Sequence, residues 1–209
     1  MKIILSGKPR FGKTTLVKKI ASQLGDLAVG FFTEEVVNPS KCPRSKLKNF
    51  EGLIPRVATL KSPKTSATAG IGNGTRIGFK AVSLPAGKEV ILAHIDFAGK
   101  SRVGKYGVDV EAFEAFVLEV QKQVNQSTKQ AIVVIDEIGK MELFSARFKG
   151  FTAEVLASER LVLATIKSGW EEPCLAKICD KNKHYFDLKR HNFNQVFSAI
   201  SALINPSNP

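Results

Sequence analysis

The chain has 209 residues, of which 44% are hydrophobic and 24% charged, the balance of an ordinary globular protein with its own core. The formal net charge of +12 raises nucleic acid or another polyanion as a partner, but residues 38–80 hold nine basic residues and one acid and so carry most of it. No run approaches the roughly 18 apolar residues of a membrane span. The three cysteines (42, 174 and 179) lack the spacing of a disulfide framework or a zinc site. We therefore expect a monomeric cytoplasmic protein without membrane contact.

The first predicted elements, in chain order, are a strand, a turn, a helix and a second strand. Residues 2–6 predict a short buried strand, and a glycine-rich turn leads into a helix from about residue 14 to residue 24. A second strand follows at residues 29–37. Residues 38–75 are rich in Pro, Ser, Thr, Gly and Lys and show no period, so they predict a flexible basic insert.

The rest of the chain continues the alternation of strands and helices. Residues 76–84 and 89–95 predict two strands joined by a hairpin turn, and residues 98–108 a basic loop. Asp109 is placed to cap a helix that runs to about residue 124. The remaining predictions are strands at 131–135, 161–165 and 184–188, helices at 145–157 and 173–179, and a last helix from Asn192. This pattern predicts an α/β fold over residues 1–209 as a single domain, with a mostly parallel sheet, helices on both faces and one antiparallel hairpin.

Residues 7–14 match the pattern G-x-x-x-x-G-K-[ST] of a phosphate-binding loop, and they lie between a predicted strand and a predicted helix. Such a loop turns its backbone N–H groups and the positive end of the following helix toward phosphate oxygens. We expect Lys13 to contact the β- and γ-phosphates, Thr14 to bind Mg²⁺ and Thr15 to contact the α-phosphate. The loop residues predicted to bind nucleotide are Gly7, Lys8, Pro9, Arg10, Phe11, Gly12, Lys13, Thr14 and Thr15.

Asp136 and Glu137 follow the buried strand at residues 131–135, and the carboxyl ends of parallel strands meet at one edge of a sheet. Asp136 is suited to hold Mg²⁺, and Glu137 to polarise a water that attacks the γ-phosphate. The alternative is that both acids only open a solvated turn. Thr165 ends the next parallel strand, where it could either sense the γ-phosphate or cap a turn.

A rival acidic motif is the Asp-x-x-Gly of residues 96–99, a form used by GTPase switches. A GTPase would also need an Asn-Lys-x-Asp guanine reader after a later strand, and the sequence has none. We therefore interpret Asp96 as a residue at the end of a hairpin.

Five segments together resemble the cancer-related nucleoside-triphosphatase family, whose members are small RecA-like phosphate-loop proteins; they are residues 7–15, 31–36, 102–109, 134–143 and 163–166. The resemblance implies slow, Mg²⁺-dependent hydrolysis of ATP, GTP and other nucleoside triphosphates. It also implies nucleotide contacts from the loop and from Asp136, Glu137, Ile138 and Gly139. Two departures are the length of the insert at 38–75 and the pair Asn192-Phe193, where the family tends to show Asn-Arg.

Three functions fit these residues. The leading hypothesis is a hydrolase in which Glu137, Lys13 and Arg102 are catalytic, with Arg102 or its neighbour Lys105 neutralising charge at the γ-phosphate; a solvated basic loop is the alternative for these two cations. The second is a nucleoside or nucleotide kinase that uses the insert as a lid. The third is a nucleotide-switched module whose insert binds a polyanion such as nucleic acid. The preferred base and the biological substrate stay open.

Overall fold

The computed structural model describes residues 1–38, 75–169 and 183–204. Its strands are β1 (Lys2–Gly7), β2 (Ala28–Val37), β3 (Arg76–Leu84), β4 (Glu89–His94), β5 (Arg102–Val103), β6 (Tyr106–Val108), β7 (Ile132–Asp136), β8 (Val162–Lys167) and β9 (Lys183–Leu188). Its α-helices are α1 (Lys13–Leu24), α2 (Val110–Gln126), α3 (Ala146–Ala157) and α4 (Phe193–Ile204). The helix predicted at 173–179, and the insert apart from residues 38 and 75, lie outside the described residues.

The described strands form one sheet in the order β5-β6-β4-β3-β2-β7-β8-β1-β9. The pairs β2–β7, β7–β8, β8–β1 and β1–β9 are parallel, and every residue of β1 and β7 is buried. Strands covered on both faces are expected to contain continuous apolar runs, and residues 3–5 of β1 and 132–135 of β7 are such runs. The remaining four strands extend the sheet in antiparallel pairs.

The antiparallel part is larger than the predicted hairpin. Residues 98–108 were expected to be only a loop, and this was wrong in part, because they contain β5 and β6. The two strands turn around Gly104, which takes a positive φ of 57°. Strands of two and three residues are too short to show an alternating pattern, so the sequence carries only the turn as a signal.

Helices cover both faces of the sheet, as predicted. On one face α2 and α3 pack on the sheet through an aromatic cluster in which the ring of Phe31 meets Phe113, Phe116 and Phe148 at centroid distances of 5.8–5.9 Å. On the other face α1 and α4 share a second core that includes Leu16. Within the described ranges, no helix is both long and apolar enough to cross a membrane.

Side chains define the helix ends. Asp109 Oδ1 accepts a hydrogen bond from the N–H of Ala112 at the start of α2, and Ser145 caps α3 in the same way. At the other end of α3, the buried ammonium of Lys2 donates to the carbonyl oxygens of Val155, Ser158 and Arg160 at 2.7–3.1 Å. Burial lowers the pKa of Lys2 to about 8. These contacts attach α3 to the first residue of β1.

The order of the strands positions the functional residues. In the parallel core, β8 lies between β1 and β7, and all three strands run in the same direction. The loop that follows β1 and the acids at the end of β7 therefore lie at one edge, about 10 Å apart at roughly 4.8 Å per strand. The loop and the acids come close together because of this strand order.

Candidate active site

The phosphate-binding loop connects Gly7, the last residue of β1, to Lys13, the first residue of α1. Gly12 takes the left-handed conformation at φ 94°, which glycine adopts at little cost. Arg10 also has a positive φ of 66°, so it occupies a conformation that side chains rarely adopt, while its side chain is exposed. The first N–H groups of α1 have no partner inside the helix and are free to bind an anion.

Lys13 connects the loop to the acidic strand end. Its side chain is buried, and Nζ donates a hydrogen bond of 3.0 Å to the carbonyl oxygen of Gly7. The same nitrogen lies 3.5 Å from Oε2 of Glu137. The structure thus places a cation between the loop and the carboxylate that follows β7.

Asp136 is 1% exposed at the end of β7. Its Oδ1 accepts a 2.5 Å hydrogen bond from the hydroxyl of Thr165 on β8, while its buried Oδ2 has no hydrogen-bond partner. Burial raises the pKa of Asp136 to about 6, and the hydroxyls of Thr165 and Thr14 together with the charge of Lys13 oppose that rise. Thr165 therefore orients Asp136 and is neither a cap nor exposed. The peptide bond between Asp136 and Glu137 is cis.

The oxygens of Asp136 and Thr14 fit a magnesium ion. Mg²⁺ prefers oxygen ligands and usually takes one or two carboxylates, with phosphate and water oxygens completing the octahedron. The unpartnered Oδ2 of Asp136 is such a ligand, and the Thr14 hydroxyl lies beside the same carboxylate. Among the described residues, no group of three or more His, Cys, Asp and Glu side chains could hold a metal.

A second carboxyl lies beside Glu137. Glu142 is 4% exposed, and burial together with the charge of Glu137 raises its pKa to about 8. Gly139 makes room for the pair, since a Cβ on it would lie 2.5 Å from Oε2 of Glu142 and 3.0 Å from Oε1 of Glu137. Ile138 donates its N–H to the carbonyl oxygen of Thr165 at 2.8 Å. The sequence analysis gave Glu142 no role. Its position between Met141 and Leu143 was a signal that this acid is buried.

Arg102 and Asp96 lie away from the loop. Arg102 is on β5 at the edge of the sheet, and six strands separate β5 from β1, roughly 34 Å along the sheet. Its guanidinium donates to the carbonyl oxygens of Phe97 and Lys105 at 2.8 and 2.9 Å. Asp96 is exposed after β4 and lies 3.4 Å from a ring nitrogen of His94, which agrees with a residue at a hairpin end.

The turn between β9 and α4 packs behind the loop. Asn192 closes this turn, because its amide donates to the carbonyl oxygen of Asp187 and its Oδ1 accepts from the N–H of Lys189. The ring of Phe193 lies 3.5 Å from the position that a Cβ on Gly12 would occupy. Phe193 therefore supports the loop by packing, at the position where the resembled family tends to have an arginine.

A strand, a G-x-x-x-x-G-K-T loop and a helix beside a buried aspartate at a strand end define a phosphate-loop nucleotide-binding protein. Two solved structures share the fold. The crystal structure of THEP1 from the hyperthermophile Aquifex aeolicus superposes with a TM-score of 0.73 at 30% identity over 98% of this chain and 99% of that one. The solution structure of a human cancer-related nucleoside triphosphatase gives a TM-score of 0.70 at 27% identity, covering 100% and 99%.

The sequence comparisons identify the family. The profile of the NTPase family matches residues 65–201. The nucleoside-triphosphatase THEP1 of Thermotoga maritima is 33% identical over 205 residues, which cover 98% of this chain and 95% of the relative. This chain belongs to the NTPase family, and the resemblance noted in the sequence is confirmed.

Proposed function

We propose that this protein is a nucleoside triphosphatase that hydrolyses ATP, GTP and other nucleoside triphosphates to the diphosphate and phosphate, slowly and with Mg²⁺. The observation that carries the proposal is the position of Lys13, whose ammonium lies 3.5 Å from the Glu137 carboxylate at the mouth of the loop. The relatives support the proposal, since two proteins that are each 33% identical to this chain are named nucleoside-triphosphatases.

The loop and its lysine account for binding and for charge neutralisation. The free N–H groups at the start of α1 bind phosphate oxygens, and Lys13 leaves the Gly7 carbonyl to contact the β- and γ-phosphates. Asp136 and Thr14 would hold Mg²⁺, which when bound neutralises charge on the phosphates. The hydrogen bond from Thr165 keeps the aspartate turned toward Thr14.

Glu137 is the residue placed to activate water. Its side chain is 35% exposed, unlike those of Asp136 and Glu142, so a water molecule can reach it. A carboxylate there can accept the proton of a water that attacks the γ-phosphate. Burial together with the charge of Glu137 raises the pKa of Glu142 to about 8, so this second carboxyl is mainly protonated at neutral pH.

The position of Arg102 supports the proposal of slow turnover. An arginine at the γ-phosphate increases turnover by about 10³ to 10⁵ in related chemistry. Arg102 is held by carbonyl groups of its own hairpin, so its proposed catalytic role requires that hairpin to move to the loop. Without that movement Arg102 does not contribute, and Lys13 neutralises charge on the phosphates without it.

The decisive experiment measures phosphate release from ATP, GTP, CTP and UTP, with and without Mg²⁺, for the wild type and for Glu137→Gln. We expect release from all four with Mg²⁺, and a loss of about 10²- to 10⁴-fold in the variant at nearly unchanged nucleotide affinity. Asp96→Asn is the matched control, because Asp96 is also an acid that follows a strand. Its side chain is 77% exposed beyond the last residue of β4.

The outcomes separate the candidate functions. Unchanged release by Glu137→Gln would remove the proposed base. Transfer of the phosphoryl group to an added nucleoside or sugar, instead of release as phosphate, would establish a kinase. A polyanion-binding role of the basic insert, which lies almost wholly outside the described residues, would appear as nucleic-acid binding that falls steeply with salt.

A further inference from the structure

Glu142 is a buried acid beside the site that the proposed reaction does not yet use. It begins the short 3₁₀ turn Glu142–Phe144, between β7 and α3, and it is 4% exposed. The strongest charges that act on it are those of two other acids, Glu137 and Asp136. Such surroundings make a carboxyl costly to ionise. A residue that only filled this space would not need to be an acid.

The carboxyl of Glu142 faces that of Glu137 across Gly139. A Cβ on Gly139 would lie 2.5 Å from Oε2 of Glu142 and 3.0 Å from Oε1 of Glu137. Both oxygens therefore lie within 3.0 Å of one point, in the space that the glycine leaves open. The φ of Gly139 is outside the left-handed region, so it is the carboxyl pair that a side chain here would disturb.

The two oxygens of Glu137 have different neighbours. Oε2 lies 3.5 Å from the ammonium of Lys13 at the mouth of the loop, whereas Oε1 lies beside Glu142. The side chain of Glu137 is 35% exposed, so packing alone does not fix the direction of its carboxylate. A base must point at the attacking water in one orientation, and small misplacements are costly for turnover.

Glu142 has a proton with which it can hold Glu137. Burial and the charge of Glu137 raise the pKa of Glu142 to about 8, so its carboxyl is mainly an O–H donor at neutral pH. Hydrogen bonds from an O–H group to a carboxylate oxygen are short and about twice as strong as those between neutral groups. Oε1 of Glu137 is the carboxylate oxygen on the Glu142 side of the pair.

We propose that Glu142 is a positioning residue, whose protonated carboxyl donates a hydrogen bond to Oε1 of Glu137 and keeps Oε2 directed toward Lys13 and the γ-phosphate. The proton of Glu142 stays on Glu142. The proton of the attacking water goes to Glu137 and from there to the phosphate that is released. Glu142 touches neither nucleotide nor water and acts only through Glu137. The inference rests on the proposed function, because it requires Glu137 to be the base.

The alternative is that Glu142 only fixes the turn after β7. The backbone N–H groups of Glu142 and Gly139 point to its carboxyl and oppose the rise of its pKa, and its carbonyl oxygen accepts a 3.1 Å hydrogen bond from the N–H of Ser145. A residue with only this role changes the stability of the fold. A positioning residue instead lowers turnover in protein that is folded and binds nucleotide normally.

The first test compares Glu142→Met, which has no donor, with Glu142→Gln, which keeps an N–H donor. Phosphate release from ATP with Mg²⁺ gives kcat and KM, and calorimetry gives nucleotide affinity. We expect Glu142→Met to lower kcat by about 10- to 100-fold, with KM and affinity within about threefold of the wild type. We expect Glu142→Gln to keep kcat within about threefold of the wild type. Glu159→Met is the control, because Glu159 is exposed, and thermal unfolding verifies that each variant is folded.

The second test is Gly139→Ala, which keeps both acids and places a methyl group between them. We expect a loss of kcat as in Glu142→Met, at unchanged nucleotide affinity. Gly150→Ala is the control, because a Cβ on Gly150 has no atom within 4 Å. This variant keeps the inference testable if Glu142→Met does not fold. Wild-type turnover in either Glu142→Met or Gly139→Ala would overturn the inference.

A double-mutant cycle shows whether Glu142 acts through Glu137. In a Glu137→Gln background, Glu142→Met should cause less than about a threefold further loss, because the residue it positions is already inactive. A further loss as large as in the wild-type background would overturn the inference, and so would a Glu142→Gln variant as slow as Glu142→Met.

Failure of the inference and failure of the proposed function give different patterns. If Glu137→Gln loses phosphate release and Glu142→Met keeps it, the positioning role falls alone. If Glu137→Gln releases phosphate at the wild-type rate, the proposed base falls and the role of Glu142 falls with it.

Discussion

Replacing Glu142 by glutamine tests whether a protonated carboxyl is part of the folded structure. Glu142 is buried beside Glu137, and these surroundings raise its pKa from an ordinary 4.5 to about 8. The folded state therefore binds this proton more tightly than the unfolded state does. The stability from this group is fully present below pH 4.5 and is lost as the pH rises through 8.

The size of the effect follows from the shift. Each pKa unit corresponds to 1.36 kcal/mol, so a shift from 4.5 to about 8 sets a ceiling of roughly 5 kcal/mol, which any water admitted by local relaxation reduces. Glutamine is uncharged at every pH, keeps an acceptor oxygen, and can donate its amide N–H to Glu137. We expect Glu142→Gln to match the wild type near pH 5 and to be more stable by roughly 2–5 kcal/mol near pH 8.

The assay is urea unfolding at pH 5, 6.5 and 8, without nucleotide or metal, for the wild type and Glu142→Gln. Glu159→Gln serves as the control, because Glu159 is exposed in the turn after α3 and should change stability equally little at each pH. A stability difference for Glu142→Gln that is the same at all three values would refute the reasoning. So would a variant that is less stable than the wild type at pH 8.

Three further tests use four substitutions, one of them a control. Lys2→Met removes the hydrogen bonds to the carbonyl groups of the last turn of α3 and the residues that follow it, and it should lower the free energy of unfolding by about 1–3 kcal/mol in urea titrations. Gly30→Ala should cost at least about 3 kcal/mol, because its Cβ would lie 2.0 Å from the carbonyl oxygen of Val134. Gly25→Ala, whose Cβ would have no atom within 4 Å, should cost less. Arg102→Ala is predicted to lower turnover at unchanged nucleotide affinity. If the variant turns over at the wild-type rate, Arg102 has no catalytic role and only the contacts within its hairpin remain.

Much of the fold could be predicted because its information is local. The apolar runs of β1 and β7 predict strands buried on both faces, and the acid or hydroxyl before α2 and α3 predicts where these helices begin. The phosphate-binding loop is local in the same sense. Its glycines, lysine and threonine lie within eight residues, and the backbone they require does not depend on distant contacts.

Other features of the site depend on which strands become neighbours, and no local pattern encodes that. Thr165 could have been a sensor or a cap, and only the pairing of β7 with β8 brings its hydroxyl to Asp136. Arg102 lies in a suggestive basic segment, but the sheet order places it at the far edge.

The sequence by itself determined that the chain has a phosphate-binding loop, acids at a buried strand end, and alternating strands and helices, because each is set by residues close together in the chain. The tertiary structure alone decided that Lys13 faces Glu137, that Glu142 is buried beside it, and that Arg190 stands over the ring of Phe11. Lys13 and Glu137 lie far apart in the sequence, as do Phe11 and Arg190. These contacts exist only because hydrophobic packing on both faces of the sheet selects one order of strands.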